Sequence, residues 1–204
     1  MNKTPRFLKV IAAIVLSSMM AITGCKKSND ANNNNPGSGT DYFLKFKADG
    51  TQKEFKSEPL IQILKKNNDG LYSAVLQGYK DFVGQGTKDE LGMIILSNDP
   101  VVQGSSYQDP EKCVDISGDT LTKLIMNFND PTNNGYLSMG PLADKNGVII
   151  LFPNVVADAK LLISELTSDY AKGTFSATVY LSTDATLTTK VKITDGQFYL
   201  KRVQ

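Results

Sequence analysis

Side-chain catalysis needs an acid, a base or a nucleophile held against a partner, and this chain of 204 residues contains no histidine and no tryptophan. The missing imidazole removes the commonest general base and zinc ligand, and with them every Ser-His or Cys-His nucleophile pair. Carboxylate chemistry remains. Two Asp or Glu side chains about 5–10 Å apart suffice to hydrolyse a glycoside, and the chain offers Asp89 with Glu90, Asp109 with Glu111, and Asp115 with Asp119. Each pair lies in a stretch rich in Gly, Pro or Ser, where adjacent carboxylates are ordinarily solvated. The chain therefore reads as non-enzymatic, with no catalytic residue and a carboxylate glycosidase as the one enzymatic rival. The loops 127–135 and 67–70 hold the oxygen atoms that suit calcium. Neither has the alternating acidic spacing of an EF-hand, and Asn-rich turns form without metal, so no metal ligand and no cofactor is expected. For recognition, Tyr180 and Tyr199 fall on the predicted outward faces of the last two strands. If those strands pair, the rings form an exposed stacking platform; otherwise they pack against each other or beneath a loop. Lys plus Arg number 22 against 21 Asp plus Glu, which leaves no basic excess for a nucleic-acid partner.

Lys3, Arg6 and Lys9 precede an apolar run from Val10 to Ile22, broken only by Ser17 and Ser18, and no acidic residue occurs before Asp30. That is the outline of a secretory signal; a helix spanning a bilayer takes about 20 apolar residues, and this run is shorter. It ends in Ile22-Thr23-Gly24-Cys25, which resembles a bacterial lipobox. The resemblance implies that the Cys25 sulfur receives a diacylglycerol, that residues 1–24 are removed as a lipoprotein signal peptide, and that the new amino group takes a fatty chain such as palmitate. One acyl chain holds a protein to a membrane only marginally, whereas several hold it durably. The membrane is thus the expected partner. Without residues 1–24 the chain keeps 19 basic against 21 acidic side chains, a net charge of about −2. Lys26 follows Cys25 where an Asp commonly marks inner-membrane retention, so the resemblance implies the outer membrane. It does not choose between the periplasmic and the surface side.

Residues 28–40 read SNDANNNNPGSGT. A segment so poor in apolar groups cannot offset the entropy of ordering, so residues 25–40 are expected to form a flexible tether with an average reach of roughly 20 Å. With Cys25 lipidated, Cys113 has no partner for a disulfide. Its context, EKCVDIS, offers Lys112 but no imidazole to stabilise a thiolate, so it reads as a plain free thiol.

Residues 41–204 are expected to form a single β domain. Short apolar runs alternate with Gly, Asn, Asp and Pro, the pattern of an all-β fold of about ten strands. Strands are predicted near 42–47, 52–56, 60–65, 71–79, 91–97, 121–128, 147–152, 159–167, 172–182 and 190–200. Asp49-Gly50 is a favoured type I′ pair, which sets Leu44 opposite Phe55 and Lys45 opposite Glu54. Asn67-Asn68-Asp69-Gly70 suggests a second hairpin. In GTFSATVYLS, Phe175, Ala177, Val179 and Leu181 share one face. In KVKITDGQFYLKR the apolar parity switches at Asp195-Gly196, which points to a bulge in one strand, with a tight hairpin as the alternative. The run GVIILF at 147–152 reads as a central core strand.

YFLKFKADGTQKEFK, GTFSATVYL and VKITDGQFYLKR, together with the lipobox, resemble the small β-rich lipoproteins of unknown function of Gram-negative bacteria. That likeness implies an antiparallel β-sandwich or partly closed barrel and no particular activity. The expected function is a lipid-anchored, non-enzymatic binding or assembly module at the outer membrane, its glycan or protein partner unspecified. The alternatives are a carbohydrate-binding accessory lipoprotein and a barrel holding an apolar ligand.

Overall fold

The computed structural model describes residues 42–83, 86–109, 111–138, 142–144, 147–149, 158–184 and 186–203; Cys25 and the predicted signal and tether lie outside them. The chain forms β1 (Phe43–Ala48), β2 (Thr51–Phe55), β3 (Ser57–Leu64), β4 (Tyr72–Val83), β5 (Gly86–Ser97), β6 (Ser106–Gln108), β7 (Lys112–Val114) and β8 (Thr120–Thr122). There follow β9 (Leu124–Asn129), β10 (Gly135–Leu137), β11 (Leu142–Asp144), β12 (Gly147–Ile149), β13 (Lys160–Leu166), β14 (Tyr170–Leu181) and β15 (Lys190–Val203). No helix occurs among the described residues.

Turn chemistry sets the first register. Asp49 and Gly50 both take positive φ, at 47° and 81°, the I′ geometry whose twist matches the flanking strands. Leu44 faces Phe55 and Lys45 faces Glu54. The second hairpin also forms: Leu64 of β3 pairs with Ser73 of β4, and the Asn67 side-chain oxygen accepts the N–H groups of Asp69 and Leu71. At the C-terminus one strand runs from Lys190 to Val203, and its register on β14 slips between Phe175 and Ala177. Asp195, at φ 54°, precedes Gly196 at that slip. The parity switch is therefore a bulge.

Eleven strands join in the order β2-β1-β15-β3-β4-β5-β9-β10-β14-β13-β6, with β14 also paired to β15. The result is sandwich-like. One half is β2-β1-β15-β14-β13-β6, the other β3-β4-β5-β9-β10. They meet at two corners, where the end of β15 runs parallel to β3 and the end of β14 pairs with β10. The ladder is partly ring-like without being a barrel. Strands that change sheet at a corner are one solution for sandwiches packed at a steep angle. Phe46 of β1 fills the space between the halves: its ring lies 5.3 Å from Phe55, 6.0 Å from Phe175 and 5.8 Å from Phe128 of the opposite half.

The run from Gly147 is not a central strand. Gly147–Ile149 pairs with Leu142–Asp144 in a separate two-stranded sheet, and residues 150–152 lie outside those described. A third small sheet joins β7 and β8.

Two glycines let β13, β14 and β15 approach. A Cβ on Gly173 would lie 2.0 Å from the Leu162 carbonyl oxygen and 2.3 Å from the Phe198 ring, and one on Gly196 would lie 2.4 Å from the Phe175 carbonyl oxygen. Because the obstacle is backbone, neither clash can be relieved by a rotamer. Gly173→Ala is expected to cost about 2–3 kcal/mol in denaturant unfolding. Gly50→Ala, with open space around it, should lose only about 1 kcal/mol, from its left-handed backbone.

Candidate functional site

Strand pairing separates the two predicted tyrosines. Tyr180 stands opposite Lys190 and Tyr199 opposite Lys172, eight residue steps apart along β14, or roughly 26 Å at the rise of a strand. Tyr180 is buried, at 4% exposure. Tyr199 is half-buried within a cluster of its own, with ring centroids 5.0 Å from Tyr42, 6.3 Å from Phe43 and 5.1 Å from Tyr170. The two rings do not form one platform.

The register instead aligns Phe43, Tyr199, Lys172 and Glu165 in one row across β1, β15, β14 and β13. Lys172 Nζ lies 4.9 Å from the Tyr170 ring centre and 5.0 Å from that of Tyr199, within range of a cation–π attraction. The same ammonium donates to Glu165 Oε2 at 2.8 Å, and Tyr170 donates its hydroxyl to Glu165 Oε1. The donors hold the Glu165 carboxyl below its usual range, Lys172 first and Tyr170 second. The bond to Glu165 raises Lys172 and Tyr170. Sequence spacing carries no trace of this row, since each member comes from a different strand.

Beside the row the outer face is hollowed, with Leu161, Leu162 and Phe175 among the polar side chains of the first hollow. One open depression of about 530 Å³ is lined by Gln108, Lys160, Thr174, Ser176, Asp195 and Gln197, among others. A second, of about 440 Å³, is lined by Lys45, Lys47, Gln52 and Glu54 with the same Asp195 and Gln197. The shared residues flank the bulge at Gly196, which bends β15 between the two hollows. Lys47 pairs with Asp195 at 2.9 Å; both side chains are exposed, so the pair adds little stability.

Most of the sequence-derived carboxylates are engaged by partners of their own. Asp89 accepts two bonds from Lys53 Nζ, at 2.7 and 2.9 Å, in a nearly buried ion pair. Lys53 lies opposite Phe46 in the ladder, so it faces the interior, and Asp89 satisfies it there. Burial raises the neighbouring Glu90 carboxyl, against a lowering bond from Asn129. Glu111 pairs with Lys123 at 3.3 Å. Asp115 Oδ1 accepts the N–H groups of Ser117 and Asp119, the role of a turn residue. In the loop 127–135, Asp130 likewise accepts from the N–H groups of Thr132 and Asn134. Cys113 is 1% exposed and its thiol contacts the Leu121 carbonyl at 3.7 Å. Burial pushes its pKa up, the environment of an inert thiol.

Asp109 was not distinguished by sequence from the other acids. It is 5% exposed, and neither carboxyl oxygen has a hydrogen-bond partner. Desolvation raises its pKa, with Asp158 adding to the effect and Lys112 opposing it.

Comparison of the chain with protein-family models, with curated proteins and with solved structures finds no match.

A raised carboxyl pKa in the folded state means that its contribution favours folding at low pH and is lost as pH rises through the folded value. Asp109→Asn removes the buried charge. Thermal unfolding should therefore show the variant more stable than the parent by about 1 kcal/mol at pH 8, with the difference disappearing at about pH 3, where the parent carboxyl is protonated in both states.

Proposed function

We propose that this chain is a lipid-anchored, non-enzymatic binding module held at the outer membrane through Cys25, and that it binds through the hollowed outer face of β1, β2, β6 and β13–β15. The observation that carries this reading is the pair of adjoining hollows, the first of mixed polar and apolar lining and the second polar, that share Asp195 and Gln197. Their amide, hydroxyl, ammonium and carboxylate groups suit a ligand that exchanges many hydrogen bonds with water for hydrogen bonds with protein. A glycan has that chemistry, and so does an extended peptide.

Gln52, Gln108 and Gln197 in the lining support the carbohydrate reading; the separation of Tyr180 from Tyr199 leaves it without a stacking pair. An apolar ligand between the halves has less support, because Phe46, Phe55, Phe128 and Phe175 occupy that space. Non-enzymatic action is supported by the engagement of Asp89, Glu111, Asp115 and Asp130 in ion pairs and turns.

Two measurements test the reading. Cys25→Ala should move the protein from the membrane to the soluble fraction on fractionation; unchanged retention overturns the anchor. Calorimetric titration with soluble polysaccharides should show binding that Gln197→Ala, which cuts both hollows, weakens by about tenfold. Polysaccharide binding unaffected by Gln197→Ala would move the site off this face.

A further inference from the structure

Two rows of side chains lie next to each other on the outer face of the half that holds β1 and β15. The first is Phe43, Tyr199, Lys172 and Glu165; the second, one pleat further along the strands, is Lys45, Gln197, Thr174, Leu162 and Ser106. Side chains two residues apart on a strand share a face, so the rows stand roughly 7 Å apart. All five members of the second row line a hollow, and Gln197 lines both. The first row is thus a wall beside the hollows, with Phe43, Tyr170 and Tyr199 half-buried in it. Lys45 ties the rows together, its Nζ lying 4.8 Å from the centre of the Phe43 ring.

The charges here do not balance. Each acid of the rows and hollows is already held by a lysine: Glu165 by Lys172 at 2.8 Å, Asp195 by Lys47 at 2.9 Å and Glu54 by Lys56 at 3.4 Å. Lys45 and Lys160, one in each hollow, have no carboxylate partner among the described residues. Glu54 is the ladder neighbour of Lys45 but turns to Lys56, and Lys45 leans over Phe43 instead. Along β15, Lys190, Lys192 and Lys201 add outward positive charge; Asp49, Asp158 and Asp169 lie in the turns at the margins, where Asp158 accepts the N–H and hydroxyl of Thr178. Residues 42–204 hold 17 of the 22 Lys plus Arg and 19 of the 21 Asp plus Glu. The hollowed face is positive on a domain that is not.

We infer that the ligand of this face is an acidic polysaccharide, a glycan chain carrying repeated carboxylate or sulfate groups, laid across the strands from β13 to β1. This rests on the binding-face reading above and gives it a ligand class. Lys160 and Lys45 stand three strand spacings apart, roughly 15 Å, so a small anion reaches one of them and a chain of repeated charge reaches both. Sugar rings have apolar C–H faces and hydroxyl edges. Leu162 and the aromatic wall suit the faces, and the amides of Gln52, Gln108 and Gln197 suit the hydroxyls. A peptide gains affinity on a sheet by pairing its backbone with a free edge. The strands crossed here, β13, β14, β15 and β1, are each bonded on both sides and offer no such edge. Charge complementarity of this kind weakens as salt is raised.

The test is calorimetric titration of the full chain in detergent with polygalacturonate, alginate and heparin, and with dextran and fully methyl-esterified polygalacturonate as uncharged counterparts. At least one acidic polymer should bind about tenfold or more tightly than the uncharged ones. Lys45→Gln and Lys160→Gln should each weaken that binding about threefold, and Tyr199→Leu, which keeps apolar bulk without a flat ring, about fivefold. Lys66→Gln, between β3 and β4, should leave it unchanged. An acidic preference that survives both hollow-lysine substitutions overturns the inference. Acidic and uncharged polymers bound alike, with Gln197→Ala weakening both, overturn the acidic class and leave the binding face standing. Polyglutamate bound as tightly as the best acidic polysaccharide, and unmoved by Tyr199→Leu, overturns the glycan. A chain that binds none of these polymers removes the inference and the reading beneath it together.

Discussion

Filling the space between two curved sheet halves is the constraint on which the rest of this fold depends, and Phe46 is the residue that meets it. Its ring touches aromatic neighbours on three strands and reaches from β1 to Phe128 on β9. Edge-to-face contacts of this kind bring some energy beyond burial alone. They also hold the halves at one spacing. With that distance set, β15 and β14 must turn out of one half to close the corners, and the bulge at Asp195-Gly196 lets the strand bend while keeping Ile193 and Phe198 inward. The two hollows outside adjoin that bulge and share Asp195 and Gln197.

Much of the framework was legible where local chemistry dictates geometry. Asp49-Gly50 permits one tight turn, and the pairing of Leu44 with Phe55 follows. The alternation through Phe175, Ala177 and Val179 is the inward face of β14, and the change of parity at Asp195 is the bulge. Strands β6, β7, β10 and β11 were not legible, because three residues are too few to show a period. The apolar run from Gly147 misled for a related reason: an unbroken apolar stretch states burial preference but not which strand lies beside it.

The candidate surface was less legible than the fold. Tyr199 was correctly placed on an outer face, yet its neighbours Tyr42, Phe43, Tyr170 and Lys172 come from β14 and from the start of β1, separated from it in sequence. Tyr180 shares the outward parity of β14 and is nonetheless buried, since parity says nothing about what covers a face. Asp109 and Asp115 look alike in the sequence. One is enclosed without partners and the other caps a turn, a difference set wholly by tertiary surroundings.

The last strand bonds to β1, β14 and β3, which places the opening and closing segments of the chain side by side. A polypeptide emerging with its N-terminus first cannot complete the half that holds β1 and β15 until its final residues are free. Long-range pairing of this kind raises contact order and slows folding. The half built around β15 therefore acquires its rigid form only once the whole domain has been made, so a chain cut short before Lys190 keeps an open edge on both β1 and β14.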